Sequence, residues 1–340
     1  MTRRGERRRE IRRGKAWLVS LWIGSAAAGW PLPAAAQQPA TPVIGFLHIA
    51  FPAPYAEHLA AFRQGLRQSG WIDGQNVTIE YRWANNEAER LPELAADLVR
   101  RHVDVIVAGG GPTSALAAKA ATATTPIVVV FGADPVRLGL ITSMNRPGGN
   151  ITGVSFLTTD LIAKRLDLLH ELNPKATTIG ILADARAEST QDMLRDAAAA
   201  ASQFGLTLAV VQVRSDHEFE AAFATMADRK AEALIVAPSQ LFDSNRDKLV
   251  ALAALQKLPA IYQAREYVVD GGLMSYGASY PDVFRGGGLY AGQILKGDKP
   301  GNLPFQQATK LELVVNLKTA KAMGLDVPLS LMIRADDMIE

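Results

Sequence analysis

A run of three glycines marks the place in this sequence where binding chemistry is easiest to locate. Gly109, Gly110 and Gly111 stand between an apolar, strand-like run and a segment with helical spacing. Glycines let the backbone approach a ligand closely, and the free amides at a helix start attract an anion. A hydroxyl of Thr113 or Ser114 would add a contact. The pattern predicts an anion-facing loop; a tight turn with Thr113 as the helix cap is the structural alternative.

Asp134 ends the next predicted strand, so the glycine run and Asp134 together imitate a dinucleotide-binding fingerprint. The match fails in detail, because Ser114 occupies the third glycine position and Pro112 interrupts the loop. We therefore expect no cofactor; as a strand-end aspartate, Asp134 more often caps a helix or pairs with an arginine.

Other residue types with catalytic or metal-binding potential are present without the spacing that such chemistry needs. The five histidines form no close metal-ligand pair, the chain has no cysteine, and no G-x-S-x-G nucleophile elbow occurs. Asp184 and Asp243 lie near strand ends, where aspartates usually cap helices or pair with arginines. We expect no metal site and no catalytic residue.

Aromatic and polar residues follow several predicted strands. In open α/β sheets, ligands bind beyond the carboxyl ends of the strands, so side chains there are candidates for covering a solute, although packing between domains would also explain the aromatic ones. The candidates at these positions are Phe51, Tyr55, Ser239, Gln240 and Tyr262.

The first 36 residues have the organisation of a secretory signal peptide. Eight Arg and Lys side chains precede an apolar run, which ends before a small-residue A-x-A site at 34–36. A membrane anchor is the alternative, but the apolar run is shorter than the roughly 20 residues that a spanning helix needs. We expect cleavage after Ala36, a linker at 37–42, and a periplasmic or extracellular protein.

Charge excludes one large class of partner. The chain has 36 basic and 34 acidic side chains, and the excess of base lies in the signal region, so the remainder is weakly acidic. Such a protein lacks the basic surface that nucleic acid or anionic lipid requires, and we expect neither as a partner.

Strand-like runs rich in Val, Ile and Leu alternate with helical segments from residue 43 onward, and the alternation restarts near residue 159. Such strands are typical of parallel sheets covered on both faces. Two successive runs predict an α/β protein with two doubly wound, Rossmann-like lobes. Residues 271–276 form one of the predicted strands.

Several short motifs occur in an order that resembles a known family. They are Asp134-Pro135-Val136, the stretch 145–155, the stretch 163–166, the glycine-containing stretch 271–277, and the stretch 316–320. Together they resemble the solute-binding proteins of ABC transporters, in the group that includes tryptophan-binding TrpX-like proteins. The resemblance covers residues 42–340.

The resemblance implies a type I periplasmic-binding-protein fold, in which three crossover strands form a hinge between the lobes. It places crossings near 156–158, 267–271 and 303–307, with Phe156, Leu157, Tyr267 and Gly271 as hinge residues. The first lobe is then 43–157 plus 270–304, and the second is 158–269 plus 305–340.

The same resemblance implies a monomeric, non-enzymatic protein that closes on a small, amino-acid-like solute and delivers it to an ABC permease with its cytoplasmic ATPase. Gly110, Gly111, Thr113 and Ser114 are expected to hold the solute's carboxylate, and Asp134 its ammonium group. A ligand sensor for a membrane receptor and a secreted α/β hydrolase are the alternatives; a DNA-binding regulator would need an N-terminal helix-turn-helix, where this chain has a signal.

Overall fold

The computed structural model of the chain describes residues 41–156, 161–187, 190–308 and 310–340. The expected signal peptide, residues 37–40 of the linker and the expected hinge residue Leu157 lie outside these ranges. No helix within the described ranges is long and apolar enough to cross a membrane.

Thirteen strands and twelve α-helices are present in the described ranges. The strands are β1 (Val43–His48), β2 (Thr78–Trp83), β3 (Val105–Gly109), β4 (Ile127–Phe131), β5 (Ile151–Ser155), β6 (Thr178–Asp184), β7 (Thr207–Val213), β8 (Ala233–Val236), β9 (Ala260–Tyr262), β10 (Met274–Ala278), β11 (Gln306–Gln307), β12 (Leu311–Asn316) and β13 (Asp337–Ile339). The helices are α1 (Ala56–Gln68), α2 (Leu91–Arg100), α3 (Pro112–Ala121), α4 (Ile162–Leu172), α5 (Thr190–Phe204), α6 (Phe219–Asp228), α7 (Gln240–Asp243), α8 (Arg246–Leu255), α9 (Arg265–Val269), α10 (Tyr280–Leu295), α11 (Leu317–Met323) and α12 (Leu329–Arg334).

The first sheet has the strand order β11-β5-β4-β3-β1-β2, and all of its pairings are parallel. Every residue of β3, β4 and β5 is buried, which explains why these segments are apolar almost without interruption. Helices α1 and α10 pack together on one face, and α2 and α3 cover the other. This is the expected doubly wound lobe.

The second sheet has the order β13-β12-β10-β9-β8-β6-β7. Its pairings are parallel except for β10 with β12, which run antiparallel. Helix α4 packs against α5, and α6 against α8. The prediction of two α/β lobes is confirmed, and the chain passes between their sheets at three places.

The second passage differs from the expected one. Residues 271–276 were expected in the first lobe, but β10 pairs with β9 and β12 of the second sheet. The chain changes lobe only after Ala278, because α10 packs on α1 and on the first sheet. Tyr267 therefore lies within α9, and Gly271 lies in the turn after it with φ +103°, so both belong to the second lobe and not to the expected hinge.

The other two passages lie close to their expected places. Phe156 follows β5, is buried, and its ring centroid lies 4.8 Å from that of Tyr280, at the start of α10. The first and second passages thus touch one another. The third comes a few residues later than expected, since Gln306 and Gln307 still pair with β5.

Arg165 links two elements of the second lobe next to these passages. Its side chain on α4 is fully buried, and its Nε donates to Tyr276 O at 2.9 Å. This bond ties α4 to β10. Burial lowers the pKa of the guanidinium to about 10.

Glycines allow α1 and α10 to approach closely. A Cβ on Gly288 would lie 2.1 Å from Phe62 O, and a Cβ on Gly65 would lie 2.0 Å from Arg285 O. Gly65 of α1 and Gly288 of α10 are therefore a packing requirement of the first lobe, since any side chain at these two positions would meet backbone.

Candidate solute-binding cleft

The carboxyl ends of the strands in both sheets face one another across a gap between the lobes. This is the edge at which parallel α/β sheets bind ligands. Tyr55 and His58 enter it from the first lobe, in the segment after β1. Asp243 enters from the second lobe after β8, and Glu266 after β9. Each functional side chain thus comes from the first turns that follow a strand.

The first-lobe side of the gap is aromatic. We call the cluster of His48, Tyr55, His58, Tyr280 and Phe284 the aromatic wall. The ring centroids of His48 and Tyr55 lie 4.2 Å apart, and those of His58 and Phe284 lie 5.1 Å apart and stacked. His58 also meets Tyr280 edge to face. Most of these rings are tilted or edge to face, and together they form a largely apolar cluster that carries the hydroxyls of two tyrosines.

His48 is held neutral within this wall. It is fully buried, and burial together with the nearby His58 lowers its pKa to about 3. Its Nδ1 accepts from Ala50 N at 3.1 Å, so its Nε2 carries the proton. No partner for Nε2 occurs among the described residues.

The second-lobe side is acidic. Asp243 is 7% exposed, and its Oδ1 accepts from Gln263 Nε2 at 2.5 Å and from Tyr267 OH at 3.0 Å. Burial raises the pKa of Asp243 to about 6, in spite of these two hydrogen bonds. Nearby, Arg246 Nε lies 2.5 Å from Asp270 Oδ2. The positive charge of Arg246 is therefore balanced by the carboxylate of Asp270.

Glu266 joins the two lobes. His58 Nε2 lies 2.9 Å from Glu266 Oε1. Burial alone would raise the pKa of Glu266, but the hydrogen bond and charge of His58 outweigh burial and hold that pKa below its usual value. The carboxylate is therefore ionised at neutral pH.

Further contacts cross the gap. Tyr55 OH donates to Gln240 Oε1. On a more exposed rim, Arg137 Nη2 lies 2.9 Å from Asp192 Oδ2. The cavity left between Tyr55, Asp243 and Tyr280 has a volume of about 10 Å³. Such a space holds about one water molecule, so the lobes are closed and must part to admit a solute.

The glycine loop lies directly beside the aromatic wall. Gly110 and Gly111 have φ values of +83° and +119°, and α3 begins at Pro112. A Cβ on Gly110 would lie 2.6 Å from His48 Cε1. The loop therefore needs glycine both for its backbone conformation and for the close approach of the imidazole.

The two hydroxyls predicted for this loop differ in their surroundings. Thr113 is exposed, and no side chain caps the start of α3, so the Thr113 cap of the structural alternative is not formed. Ser114 is fully buried, and its Oγ has no hydrogen-bond partner among the described residues. Ser114 is the hydroxyl whose hydrogen bonding is incomplete.

The remaining predicted contacts lie in several places. Phe51 is 44% exposed beyond β1. Asp134 Oδ1 accepts from Val136 N at 2.8 Å, which is a local turn-capping bond. Ser239 caps α7 by accepting from Leu241 N, and Tyr262 is buried and stacked on Tyr267. Of the ten predicted ligand contacts, Tyr55 and Gln240 are brought directly together.

Sequence reasoning missed His58, Glu266 and Tyr280, and it set Asp243 aside. The available signal was positional, because Asp243 and Glu266 each follow a strand of the second sheet by a few residues. Carboxylates at such positions commonly cap the following helix. The neighbouring sequence does not distinguish a helix cap from a side chain that faces the other lobe.

Comparisons with known proteins bear on this arrangement. A curated relative, the tyrosine-binding protein of Clostridioides difficile (strain R20291), is 29% identical over 268 residues, which are 78% of this chain and 75% of the relative. A solved ABC domain in complex with L-Trp from Streptococcus pneumonia is 25% identical, with a TM-score of 0.80 over 88% of this chain and 100% of the other.

A second solved structure is open. The ligand-free, open structure of a substrate binding protein with adhesive properties from Clostridium difficile has a TM-score of 0.64 at 24% identity, over 88% of this chain and 99% of that one. At nearly equal identity, the present structure is nearer in shape to the L-Trp complex.

Residues 49–339 match the family described as ABC transporter substrate binding protein. The two hinged α/β lobes have the type I periplasmic-binding-protein fold, as expected from the motifs. The chain belongs to the ABC transporter substrate binding protein family, and its role is to bind a small-molecule solute.

Proposed function

We propose that this chain is the extracytoplasmic component of an ABC importer and binds an amino-acid-like solute with an aromatic side chain. The observation that carries the proposal is the aromatic wall, which faces polar and acidic groups of the second lobe across a closable gap. The named ligands of the tyrosine-binding relative and of the L-Trp complex support the same solute class.

The mechanism is closure over the solute. The closed lobes leave space for about one water. The Tyr55–Gln240 contact must therefore break as the lobes part, and the solute enters the open form. A solute shifts the balance toward closure only by binding the closed form more tightly. The closed, loaded form is then the one that the permease recognises, and the solute is passed on chemically unchanged.

The glycine loop supplies the carboxylate contact. Gly110, Gly111 and the buried Ser114 stand at the start of α3, where unpaired amides and the helix dipole favour an anion. Replacing Thr113 and Ser114 together by alanine should weaken binding of an amino acid by about 10-fold, the usual loss of one or two hydrogen bonds to a charged group. Unchanged affinity in calorimetry would contradict this assignment.

Mass spectrometry of the solute that co-purifies with the protein tests the function itself. A thermal-shift screen of the amino acids should follow, since a ligand of the folded state raises its apparent stability. We expect aromatic amino acids to give the largest shifts and to be recovered intact. Recovery of a chemically altered product would favour the hydrolase alternative.

Export through the N-terminal signal places the protein on the outer side of the membrane. The basic cluster, the apolar run and the A-x-A site at 34–36 support this part of the proposal. Fractionation of cells that express the full chain should yield a product shortened to begin at Gln37 outside the cytoplasm. An uncleaved cytoplasmic product would contradict it.

A further inference from the structure

The charges that line the gap are not balanced. Arg246 is matched by Asp270, and His58 is paired with Glu266. Asp243 remains, and both of its hydrogen-bond donors, Gln263 and Tyr267, are uncharged. A carboxylate that is 7% exposed and has only neutral donors is costly to keep ionised.

One carboxylate oxygen of Asp243 also remains available to accept a hydrogen bond. Gln263 and Tyr267 both donate to Oδ1, which leaves Oδ2 for a donor from the gap. Oδ2 therefore calls for a hydrogen-bond donor that the described residues do not supply.

Asp134, the carboxylate expected from sequence to hold an ammonium, already accepts hydrogen bonds from charge-free backbone donors and is not buried. Its Oδ1 accepts from Val136 N and Arg137 N at 2.8 and 3.2 Å. It is partly exposed, and it is absent from the lining of the gap between Tyr55 and Asp243. Its position is that of a turn cap.

Building on the proposed function, we propose that Asp243 receives the ammonium group of the solute through Oδ2 and that the facing aromatic wall covers the solute's ring. The assignment defines a solute class, which is aromatic molecules with a primary ammonium, with or without a carboxylate. The rings of Tyr55 and Tyr280 add a favourable surface for the cation itself. The carboxylate would be bound separately, at the glycine loop.

Isothermal titration calorimetry with three probes tests the assignment on the wild-type protein, purified and stripped of resident solute. L-Tyrosine carries both charged groups, tyramine carries only the ammonium, and 3-(4-hydroxyphenyl)propionate carries only the carboxylate. We expect the propionate to bind about 30-fold more weakly than L-tyrosine, and tyramine to bind measurably. Because this comparison uses unaltered protein, it does not depend on the folding of any variant.

Two matched variants test which carboxylate of the protein, Asp243 or Asp134, binds the ammonium group of the solute. Asp243→Asn should weaken L-tyrosine by about 30-fold and leave the propionate within about 3-fold, since only the ammonium contact is lost. Asp134→Asn, the control, should leave L-tyrosine within about 3-fold. Circular dichroism melting confirms that both variants fold.

The contrary outcomes are distinct. Equal wild-type affinity for L-tyrosine and the propionate, or a loss at Asp134→Asn with none at Asp243→Asn, would overturn the assignment. If L-tyrosine binds and neither Asp243→Asn nor Asp134→Asn weakens it, the assignment is wrong and the proposed amino-acid solute stands; if tyramine and every amino acid fail to bind while an uncharged or anionic solute binds, both the assignment and the proposed amino-acid solute are wrong. If no small molecule binds at all, both are wrong.

Discussion

His58 on α1 and Glu266 on α9 meet across the gap, with Nε2 and Oε1 2.9 Å apart. Their side chains are only 5% and 12% exposed, so the contact is made in a largely dry environment. The two residues come from different lobes and can touch only when the lobes are closed. We call this pair the latch, because it stabilises the closed form. Removing one partner leaves the other buried and without its hydrogen bond.

His58→Ala should open the solute-free protein. The substitution leaves Glu266 buried without its partner, which disfavours the closed form by about 3 kcal/mol. Small-angle X-ray scattering should then give a larger radius of gyration. Arg137→Ala is the control, because the Arg137–Asp192 pair is 73% and 42% exposed and is worth less than about 1 kcal/mol. An unchanged scattering profile for His58→Ala would contradict the latch.

The stability of the solute-free protein should fall as Asp243 ionises. Burial raises the pKa of Asp243 from 3.8 to about 6, so the folded state holds this proton more tightly than the unfolded state does. The contribution favours folding below pH 4 and is lost as the pH rises to about 6, a change of about 3 kcal/mol. The charges of Glu266 and His58 act on Asp243. Burial, followed by the charge of Asp243, raises the pKa of Tyr55, Tyr267 and Tyr280.

Chemical denaturation between pH 4.5 and pH 7 measures this effect. Asp243→Asn cannot titrate, so the free energy of unfolding of the wild type minus that of the variant isolates the contribution of Asp243. The difference should decline with pH. A flat difference would show that Asp243 is not perturbed.

Affinity for an ammonium-bearing solute should change with pH in the opposite sense. The cation needs an ionised Asp243, whose pKa of about 6 makes the site largely protonated at pH 5. Affinity for tyramine should therefore rise about 10-fold between pH 5 and pH 7 and then level off. Titration calorimetry at intervals of half a pH unit measures it. Asp243→Asn should bind tyramine weakly at every pH, and a sloping profile in that variant would contradict the explanation.

Gly110→Ala should destabilise the first lobe for two separable reasons. The φ of +83° is strained for alanine, and the new Cβ would lie 2.6 Å from His48 Cε1. Gly139→Ala is the matched control, since φ is +64° there and no atom lies within 4 Å. The control should cost about 1 kcal/mol and Gly110→Ala about 2 kcal/mol more in chemical denaturation. Equal costs would mean that the imidazole moves aside freely.

Gly288→Ala should disrupt the packing of α1 against α10. Its Cβ would meet Phe62 O at 2.1 Å, a backbone atom that moves only with the helix. Gly286→Ala on the same helix meets Val154 Cγ2 at 3.1 Å, a side-chain atom that can rotate. Thermal melting should show a loss of about 3 kcal/mol or more for Gly288→Ala and little change for Gly286→Ala. Similar melting temperatures would contradict the close approach.

The alternation of strands and helices was predictable because it depends on local burial. The strands β3 and β4 are buried throughout, and continuous runs of apolar residues such as Val and Ile predict buried strands. The glycine loop was likewise recognisable, since positive φ values at Gly110 and Gly111 require that residue type. The family motifs supplied the three passages between lobes, which periodicity alone did not contain.

The lobe assignment of residues 271–276 was wrong for a physical reason. An apolar run reports that a strand will be buried, but it carries no information about which sheet will receive it. The pairing of β10 with β9 and β12, which sets Met274 opposite Ile261 and Val315, decides that β10 lies in the second sheet. Those partners are 13 and 41 residues away in the chain.

By itself, the sequence determined the class of the protein: apolar strands in alternation with helices, a glycine loop at a helix start, and an N-terminus that predicts export. Only the tertiary structure decided which side chains meet in the gap. His58 and Glu266 are separated by 208 residues and belong to different lobes. Their contact, and the burial of Asp243 beside it, arise from the closure of two sheets on one another, and no local pattern of residues encodes that closure.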